Sequence, residues 1–206
     1  FLLSSSNNNT INSNEITENT DYGVHLFSSS SNDVSDNEFV DDGLVISDSD
    51  DLTVNDNTVN DKDLLYHEDN TTQTIDQEKG QIILNNCTNY TIKNQEISNT
   101  DIAIQLHKTN QTTIKNNNLT NNNNGVYLRD SSNNVLYLNN FIDNTDGPVS
   151  SDSDNSWISP EEITYEYDGT TNTNQLGNYW DDYSGSDDDE DGIGDTNYTI
   201  SGDANN

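Results

Sequence analysis

An acidic segment near the C-terminus combines the residue types and the spacing of a calcium-binding loop. It reads DDDEDGIGD from residue 187 to residue 195. Ca²⁺ takes about six to eight oxygen ligands on a tight loop, in which carboxylates alternate with other residues and a glycine makes the turn. The sequence therefore predicts a Ca²⁺ site with the ligands Asp187, Asp189, Asp191, the carbonyl of Ile193, and Asp195. Tyr198 stands where such loops usually have a bidentate Glu, and a metal-free acidic surface loop is the alternative.

Just before this loop, residues 179–183 combine aromatic and acidic side chains. Aromatic faces can stack on sugar rings, and carboxylates can accept hydrogen bonds from hydroxyl groups. We therefore predict a carbohydrate-binding site formed by Tyr179, Trp180, Asp181, Asp182 and Tyr183. The alternative is that these aromatic side chains cover the end of the fold, because each one buries a large apolar area.

The sequence offers no persuasive catalytic centre, and we assign no catalytic residue. Inverting glycoside hydrolases use two carboxylates about 6.5–9.5 Å apart, and retaining ones use two carboxylates about 5–5.5 Å apart. Asp101 and an acidic residue one repeat away could meet the spacing of the retaining enzymes. With 38 acidic residues in the chain, such a match carries little information. Polysaccharide lyases of β-helical fold usually need a base, and the one arginine, Arg129, is expected to pair with the adjacent Asp130. A carbohydrate-active enzyme of either kind, acting on an extracellular glycan, stays the alternative function.

Ligands for a copper ion are scarce. The chain has no Met and one cysteine, whereas Cu(I) selects thiolate and thioether ligands. The three histidines, His25, His67 and His107, do not share a position in the repeat described below, so they do not form a row of ligands. These features argue against copper, and we interpret Cys87 as a small buried or corner residue rather than a reactive thiol.

Several Asn residues begin an Asn-x-Ser/Thr sequon, which is the acceptor for N-glycosylation. Because the chain is rich in Asn and Thr, most of these sequons can arise by chance. Asn70, in a predicted loop, and Asn197, beside the acidic loop, are the two positions where we expect a glycan.

The elements that carry these residues are indicated by a sequence repeat. Between residues 82 and 141, four series of apolar residues recur at a step of 22; they are Ile82, Ile104 and Val126; Leu84, Leu106 and Leu128; Ile92, Ile114 and Leu136; and Ile97, Leu119 and Phe141. Upstream, the step is 20 and then 23. Such periods occur in leucine-rich repeats and in parallel β-helices, but the segments between the apolar pairs are polar and show no helical period. We therefore predict an all-β fold, a right-handed parallel β-helix of about seven coils.

The same repeat divides the chain. Residues 1–144 follow it, except that residues 67–80 break the rhythm and are predicted to be a loop, or a short strand pair, extruded from one coil. Residues 145–206 are richer in aromatic and acidic residues and are expected to form a C-terminal cap, which includes the acidic loop 187–195. Because the chain opens inside a repeat, we expect it to be a piece of a longer protein.

The composition of the chain excludes some classes of function. The formal net charge is −32, so the surface repels phosphates and nucleic-acid binding is excluded. No apolar run is long enough to cross a membrane. Many Asp and few Lys are typical of proteins that work in concentrated salt, where charge repulsion is screened, and we expect a salt-loving archaeal source.

Three stretches resemble the NosD-like branch of the carbohydrate-binding and sugar-hydrolase (CASH) family; they are QIILNNCTNYTI at 81–92, GVYLRDSSNNVLYLNNF at 125–141 and GNYWDDYSGSDDDEDGIGD at 177–195. This resemblance implies a right-handed β-helix outside the cytoplasm, as in secreted and surface proteins of archaea. The family's named member is an accessory protein of copper-enzyme maturation. We therefore expect an extracellular or cell-surface module that recognises a polysaccharide or cell-surface glycan, or serves as a scaffold, with a Ca²⁺-stabilised cap.

Overall fold

The fold is all β in the computed structural model, which describes residues 1–146, 149–151 and 154–200 and contains no helix there. The first ten strands are β1 (Leu2–Ser4), β2 (Thr10–Asn12), β3 (Glu15–Thr17), β4 (Val24–Phe27), β5 (Asp33–Ser35), β6 (Glu38–Val40), β7 (Leu44–Ser47), β8 (Thr53–Asn55), β9 (Thr58–Val59) and β10 (Lys62–Glu68). The following strands are β11 (Thr74–Ile75), β12 (Gln81–Asn85), β13 (Thr91–Lys93), β14 (Glu96–Ser98), β15 (Ile102–His107), β16 (Thr113–Lys115), β17 (Asn118–Thr120), β18 (Asn124–Arg129), β19 (Val135–Tyr137), β20 (Asn140–Ile142), β21 (Val149–Ser151), β22 (Ile163–Tyr167), β23 (Thr170–Asn174) and β24 (Tyr179–Trp180).

The strands form the turns of a parallel β-helix. Within residues 1–146, six turns have three strands each, and the turn of β10 and β11 has two. Equivalent strands of successive turns pair in parallel, so that Ile82 lies beside Ile104 and Ile104 beside Val126. The predicted step of 22 is thus the length of one turn. The predicted fold class is confirmed, with six full turns and one shorter turn.

A single residue in the left-handed conformation makes the corner between the second and third strands. The residues with positive φ at this corner are Ser13, Asp36, Asp56, Asn94, Asn116 and Leu138. Short polar side chains, above all Asn and Asp, tolerate this conformation best. The abundance of these residues is therefore a requirement of the fold.

A ladder of polar side chains follows each of these corners. The side-chain oxygen of Asn117 accepts the N–H of Gln95 at 3.0 Å, and its Nδ2 donates to Oδ1 of Asn139 at 2.8 Å. All three residues are buried. Because each amide bonds to the turn before and the turn after it, the polar groups of the corner are satisfied inside the protein.

The solenoid is divided into two lobes at residues 60 and 61. Strands β9 and β10 form an antiparallel hairpin, in which Asn60 and Asp61 have φ values of 49° and 65°. Two consecutive residues with positive φ are the signature of a type I′ turn. Among the described residues, no hydrogen-bonded ladder joins β7 to β10. We refer to residues 1–60 as the N-terminal lobe and to residues 61–146 as the C-terminal lobe.

Strand β10 contributes to the hydrophobic cores of both lobes. Leu64 is buried in the core of the N-terminal lobe, whereas Leu65 packs against the core of the C-terminal lobe. Ile83, on the outer face of β12, also packs into the N-terminal core. The end of the N-terminal lobe therefore packs on the outer face of the C-terminal lobe. This contact covers apolar residues that the end of an isolated solenoid would expose to solvent.

The prediction of an extruded loop at residues 67–80 is wrong. Strand β11 lies in this segment and pairs in parallel with β13, so that Ile75 stands beside Ile92, and Thr71 forms a bridge with Thr88. The segment is a regular part of a turn that lacks its third strand. The step is therefore 17 residues here, which disturbs the repeat without removing the segment from the solenoid.

The predicted cap is built partly on the solenoid itself. Strand β24 pairs in parallel with β20, and Asn155 and Asn178 continue the ladders through Asn134 and Asn139. An antiparallel hairpin, β22 and β23, lies between these two attachments in sequence. Residues 147, 148, 152, 153 and 201–206, which also belong to the predicted cap, lie outside the described residues.

Candidate functional site

Trp180 closes the end of the solenoid. Its ring is stacked between the rings of Phe141 and Tyr198, each with a centroid distance of 4.3 Å. Phe141 belongs to the buried core, and Trp157 packs nearby. Both faces of Trp180 are covered, so this residue has the capping role that was the alternative interpretation, and a sugar ring would have to use other side chains.

A solvent-open cavity of about 1010 Å³ lies at the cap. Its lining includes Tyr165, Tyr167, Tyr179, Asp181 and Asp187. Tyr167 is 44% exposed and Tyr179 is 57% exposed, so their rings are available to a ligand. The volume is at the upper end of the range of about 300–1,000 Å³ for small-molecule sites.

The other predicted sugar-binding residues also contact the cap. Asp181 accepts the backbone N–H of Asp143 at 2.6 Å, and Asp182 accepts the hydroxyl of Tyr198 at 3.1 Å. The Tyr183 hydroxyl donates to the carbonyl of Thr196 at 2.9 Å. Burial and the nearby Asp182 carboxylate raise the pKa of Tyr198 to about 12. The five predicted residues therefore lie together at the cap, and Tyr179 is the most exposed of the three aromatic residues.

The predicted calcium loop is compact. The carboxylate of Asp187 accepts the backbone N–H groups of Asp191 and Gly192 at 3.0 and 2.9 Å, and Gly192 has a φ of +88°. Asp187, Asp189 and Asp191 place one carboxylate oxygen each within 4.8 Å of one another. Repulsion from Asp191 raises the pKa of Asp189. Three of the predicted ligands therefore converge on one point.

The two further predicted ligands, Ile193 and Asp195, stand in the same loop, and the carboxylate of Asp195 is not one of the converging three. The N–H of Ile193 donates to Oδ1 of Asp191 at 2.8 Å. The carboxylate of Asp195 accepts the N–H of Asp188 at 2.5 Å. The loop is held against the β22–β23 hairpin, because Tyr165 donates to the carbonyl of Asp191 and Asn174 donates to its carboxylate.

A second group of potential metal ligands lies at the junction of the lobes. Asp48, His107 and Asp130 form this junction cluster, in which Nε2 of His107 is 3.8 Å from Oδ1 of Asp48 and 4.0 Å from Oδ2 of Asp130. His107 is 0% exposed, and burial lowers its pKa. Asp48 follows β7 in the N-terminal lobe, whereas the other two residues belong to the C-terminal lobe. The cluster therefore depends on how the lobes pack.

The junction cluster is not apparent from the amino-acid sequence. The repeat correctly aligns His107 with Asn85 and Arg129, one turn away on either side. Asp48, however, reaches the histidine across the junction and not along the repeat. The spacing of the sequence carries no signal for that contact.

Arg129 and Asp101 have structural partners. The guanidinium of Arg129 is 2.6 Å from Asp48 and 3.9 Å from Asp130, so the expected pairing with Asp130 is the longer of two. Asp101 is 2% exposed and accepts the N–H groups of Gly23 and Gly43 at 3.0 and 2.8 Å. Burial raises the pKa of Asp101 to about 6, against these two hydrogen bonds.

The remaining predicted positions are Cys87 and the two sequon residues Asn70 and Asn197. Cys87 is buried and donates to the carbonyls of His67 and Asn85, and burial raises the pKa of its thiol, so its interpretation as a small buried residue is confirmed. Asn70 and Asn197 are both exposed. Their glycosylation stays a prediction.

Comparison with known proteins identifies the family. A family profile described as "Periplasmic copper-binding protein (NosD)" matches residues 1–185, which is most of the chain. No curated protein matches. Among the described segments, none is a helix with the length and apolar character to span a membrane. The chain folds as a parallel β-helix and matches this profile over nearly its whole length, and it therefore belongs to the NosD family.

Proposed function

We propose that the chain is a β-helix module that works outside the cytoplasm and binds a polysaccharide or cell-surface glycan at its C-terminal cap. The observation that carries this proposal is the cavity of about 1010 Å³ with the exposed rings of Tyr167 and Tyr179 and two carboxylates on its wall. Aromatic faces and hydrogen-bonding carboxylates match the alternating apolar faces and hydroxyl groups of a sugar. The location is supported by the family, whose description is periplasmic.

Ca²⁺ has a structural part in this proposal. The convergence of three carboxylates on the acidic loop is costly without a cation, because like charges repel at short distance. The loop docks on the hairpin through Tyr165 and Asn174, and Tyr165 lines the cavity. A Ca²⁺ ion held by Asp187, Asp189 and Asp191, with Ile193 and Asp195 completing the shell, would therefore fix one wall of the proposed glycan site.

The family description also names copper, and its two common ions, Cu(I) and Cu²⁺, prefer different ligands. Cu(I) selects sulfur, but there is no Met, and Cys87 is buried and bonded to two carbonyls. Cu²⁺ accepts imidazole and carboxylate ligands, and the junction cluster supplies both. The residues present therefore fit Cu²⁺ and do not fit Cu(I).

A glycan array with Ca²⁺ present tests the proposed recognition. We expect native protein to bind one class of glycan, and the double variant Tyr167→Ala with Tyr179→Ala to bind at least about fivefold more weakly, since aromatic contacts of this kind contribute about 0.5–1.5 kcal/mol each. The matched control is Tyr137→Ala, because Tyr137 lies on the side of the solenoid, where Lys115 covers its ring. Absence of binding to every glycan would leave only the scaffold role, and release of reducing or unsaturated products would favour the enzyme instead.

Thermal unfolding with Ca²⁺ and with chelator tests the metal. We expect Ca²⁺ to raise the Tm of native protein, because an ion that binds only the folded state stabilises it. The variant Asp189→Ala should lose this rise, whereas Asp188→Ala, an exposed residue of the same loop outside the converging set, should keep it. An equal rise in both variants, or none in native protein, contradicts the Ca²⁺ site.

A further inference from the structure

We propose that Asp48, His107 and Asp130 form a binding site for a divalent transition-metal ion that joins the two lobes. The three residues offer one ligand atom each, all within 4.8 Å of one another. The site is separate from the acidic loop of the cap and does not depend on glycan binding. It is not a cluster of acids alone, because a buried imidazole is at its centre.

The orientation of His107 follows from its hydrogen bonds. Asn85 directs Nδ2 to the carbonyl of Ser49 at 3.1 Å and to the carboxylate of Glu68 at 3.0 Å, both of which only accept. Its Oδ1 must therefore face Nδ1 of His107, at 2.8 Å, and this contact needs a proton on Nδ1. The proton on Nδ1 leaves Nε2 of the neutral ring with a free lone pair.

This lone pair has no hydrogen-bond partner among the described residues. Nε2 of His107 is fully buried and unpaired, although a buried polar atom without a partner costs about 1–3 kcal/mol. Nε2 lies 3.8 Å from a carboxylate oxygen of Asp48 and 4.0 Å from one of Asp130. Carboxylates cannot donate to it when they are ionised, whereas a metal cation would accept this lone pair together with one oxygen of each carboxylate.

The distances suit a metal after a small contraction. Ligand atoms about 2.1 Å from a tetrahedral ion are about 3.4 Å from one another. The observed separations from Nε2, 3.8 and 4.0 Å, exceed this by roughly half an ångström. Asp48 and Asp130 are partly exposed, so their side chains have room to move.

Neighbouring groups hold the ligands in place. The guanidinium of Arg129 bonds to Oδ2 of Asp48 at 2.6 Å, which leaves Oδ1 toward the histidine. The other cation nearby, Lys108, is paired with Asp50 at 2.9 Å. Asn85 fixes the imidazole through its other nitrogen, as outer hydrogen bonds commonly do in metal sites.

One imidazole nitrogen with two carboxylate oxygens favours Zn²⁺ or Cu²⁺. Ca²⁺ and Mg²⁺ prefer all-oxygen sites, and Cu(I) prefers sulfur. Bound metal would connect the N-terminal lobe, through Asp48, to the C-terminal lobe, through the other two ligands. We therefore expect binding to stabilise the junction as well as the site.

Titration of the full chain with Zn²⁺ and with Cu²⁺, in the presence of excess Ca²⁺ to occupy the cap loop, tests the proposal. We expect one equivalent to bind, with the affinity reduced at least about tenfold in Asp48→Asn and in Asp130→Asn. The Cu²⁺ complex should show electron paramagnetic resonance coupling to one imidazole nitrogen, which His107→Gln removes. Circular dichroism confirms that each variant is folded, and the two Asp variants keep His107 and its packing.

The matched control is His25→Gln, because His25 is bonded to Ser47 and lies outside the cluster. It should leave the affinity and the nitrogen coupling unchanged. Unchanged binding in both Asp variants, loss of the coupling with His25→Gln, or no stoichiometric binding would each overturn the site. The last result would mean that water satisfies Nε2.

Discussion

Leu138 is the exception among the residues that make the corners. It has a φ of +55°, where the equivalent positions of the two preceding turns, Asn94 and Asn116, have 56° and 55°. A branched apolar side chain is strained in this region by roughly 1–2 kcal/mol. Leu138 is also partly exposed, so the strain is not offset by full burial.

Replacement of Leu138 by Asn is expected to raise the free energy of unfolding by about 1 kcal/mol, because Asn tolerates the left-handed conformation. Urea unfolding followed by circular dichroism measures this change. The reciprocal variant, Asn116→Leu, should lower the free energy of unfolding by a similar amount. If both variants shift stability in the same direction, the strain at this corner is not the cause.

At the scale of residues, the sequence predicts which residue types occupy the corners of the turns, but it does not predict clusters whose members are distant in sequence. The need for Asn and Asp at repeated tight turns is visible in composition, and the step of 22 places Cys87 next to Thr109, whose hydroxyl accepts the N–H of Cys87 at 3.1 Å. The acidic loop could be found because its ligands are close in sequence. His107 and Asp48 could not be joined, since no local spacing connects them.

At the scale of elements, the repeat predicts the register of the strands. Hydrogen-bonded parallel strands place equivalent residues over one another, so the series through Ile92 and Ile114 is also a column in the core. The division into lobes was missed because Leu44 and Leu64 continue the step of 20 although their strands do not pair. An apolar pattern shows which side chains are buried, but not against which neighbour.

Asp101 connects turns of different lobes, and its titration should be visible in stability. Its folded pKa of about 6 is above its ordinary value of 3.8, so the folded protein holds this proton more tightly than the unfolded chain. The stabilisation is then complete below about pH 4 and is lost as pH rises to about 6, by up to about 3 kcal/mol. Above that pH the contribution is constant.

Chemical unfolding from pH 4 to pH 7 on native protein and on Asp101→Asn measures this contribution. Asn keeps an oxygen for the N–H groups of Gly23 and Gly43 but does not titrate. The difference in unfolding free energy, native minus variant, should fall across this interval. A difference that rises with pH, or stays level, would show that burial of Asp101 does not govern its protonation.

At the scale of the whole molecule, repulsion among acidic residues is the main electrostatic interaction. The formal net charge is −32, and the few ion pairs, such as Lys108 with Asp50, offset little of it. Salt shortens the range of this repulsion to about 3 Å at 1 M. The expected source in concentrated salt stays a prediction from this charge.

Stability is therefore expected to increase with NaCl. Thermal unfolding in low salt and at about 2 M NaCl should show a higher Tm in the salt, because the folded state concentrates charges that the unfolded chain separates. Equal osmolality of sucrose is the control for solvent effects that do not involve charge. Full β structure with the same Tm in salt-free buffer containing chelator would contradict this expectation.

The hairpin at residues 60 and 61 has a mechanical consequence. One face of β10 touches one interior and the opposite face touches the other, through Leu64 and Leu65. Peeling this strand away would admit water to both interiors together. We therefore expect the two lobes to unfold cooperatively. Cleavage of the chain between residues 60 and 61 would then leave neither lobe stably folded.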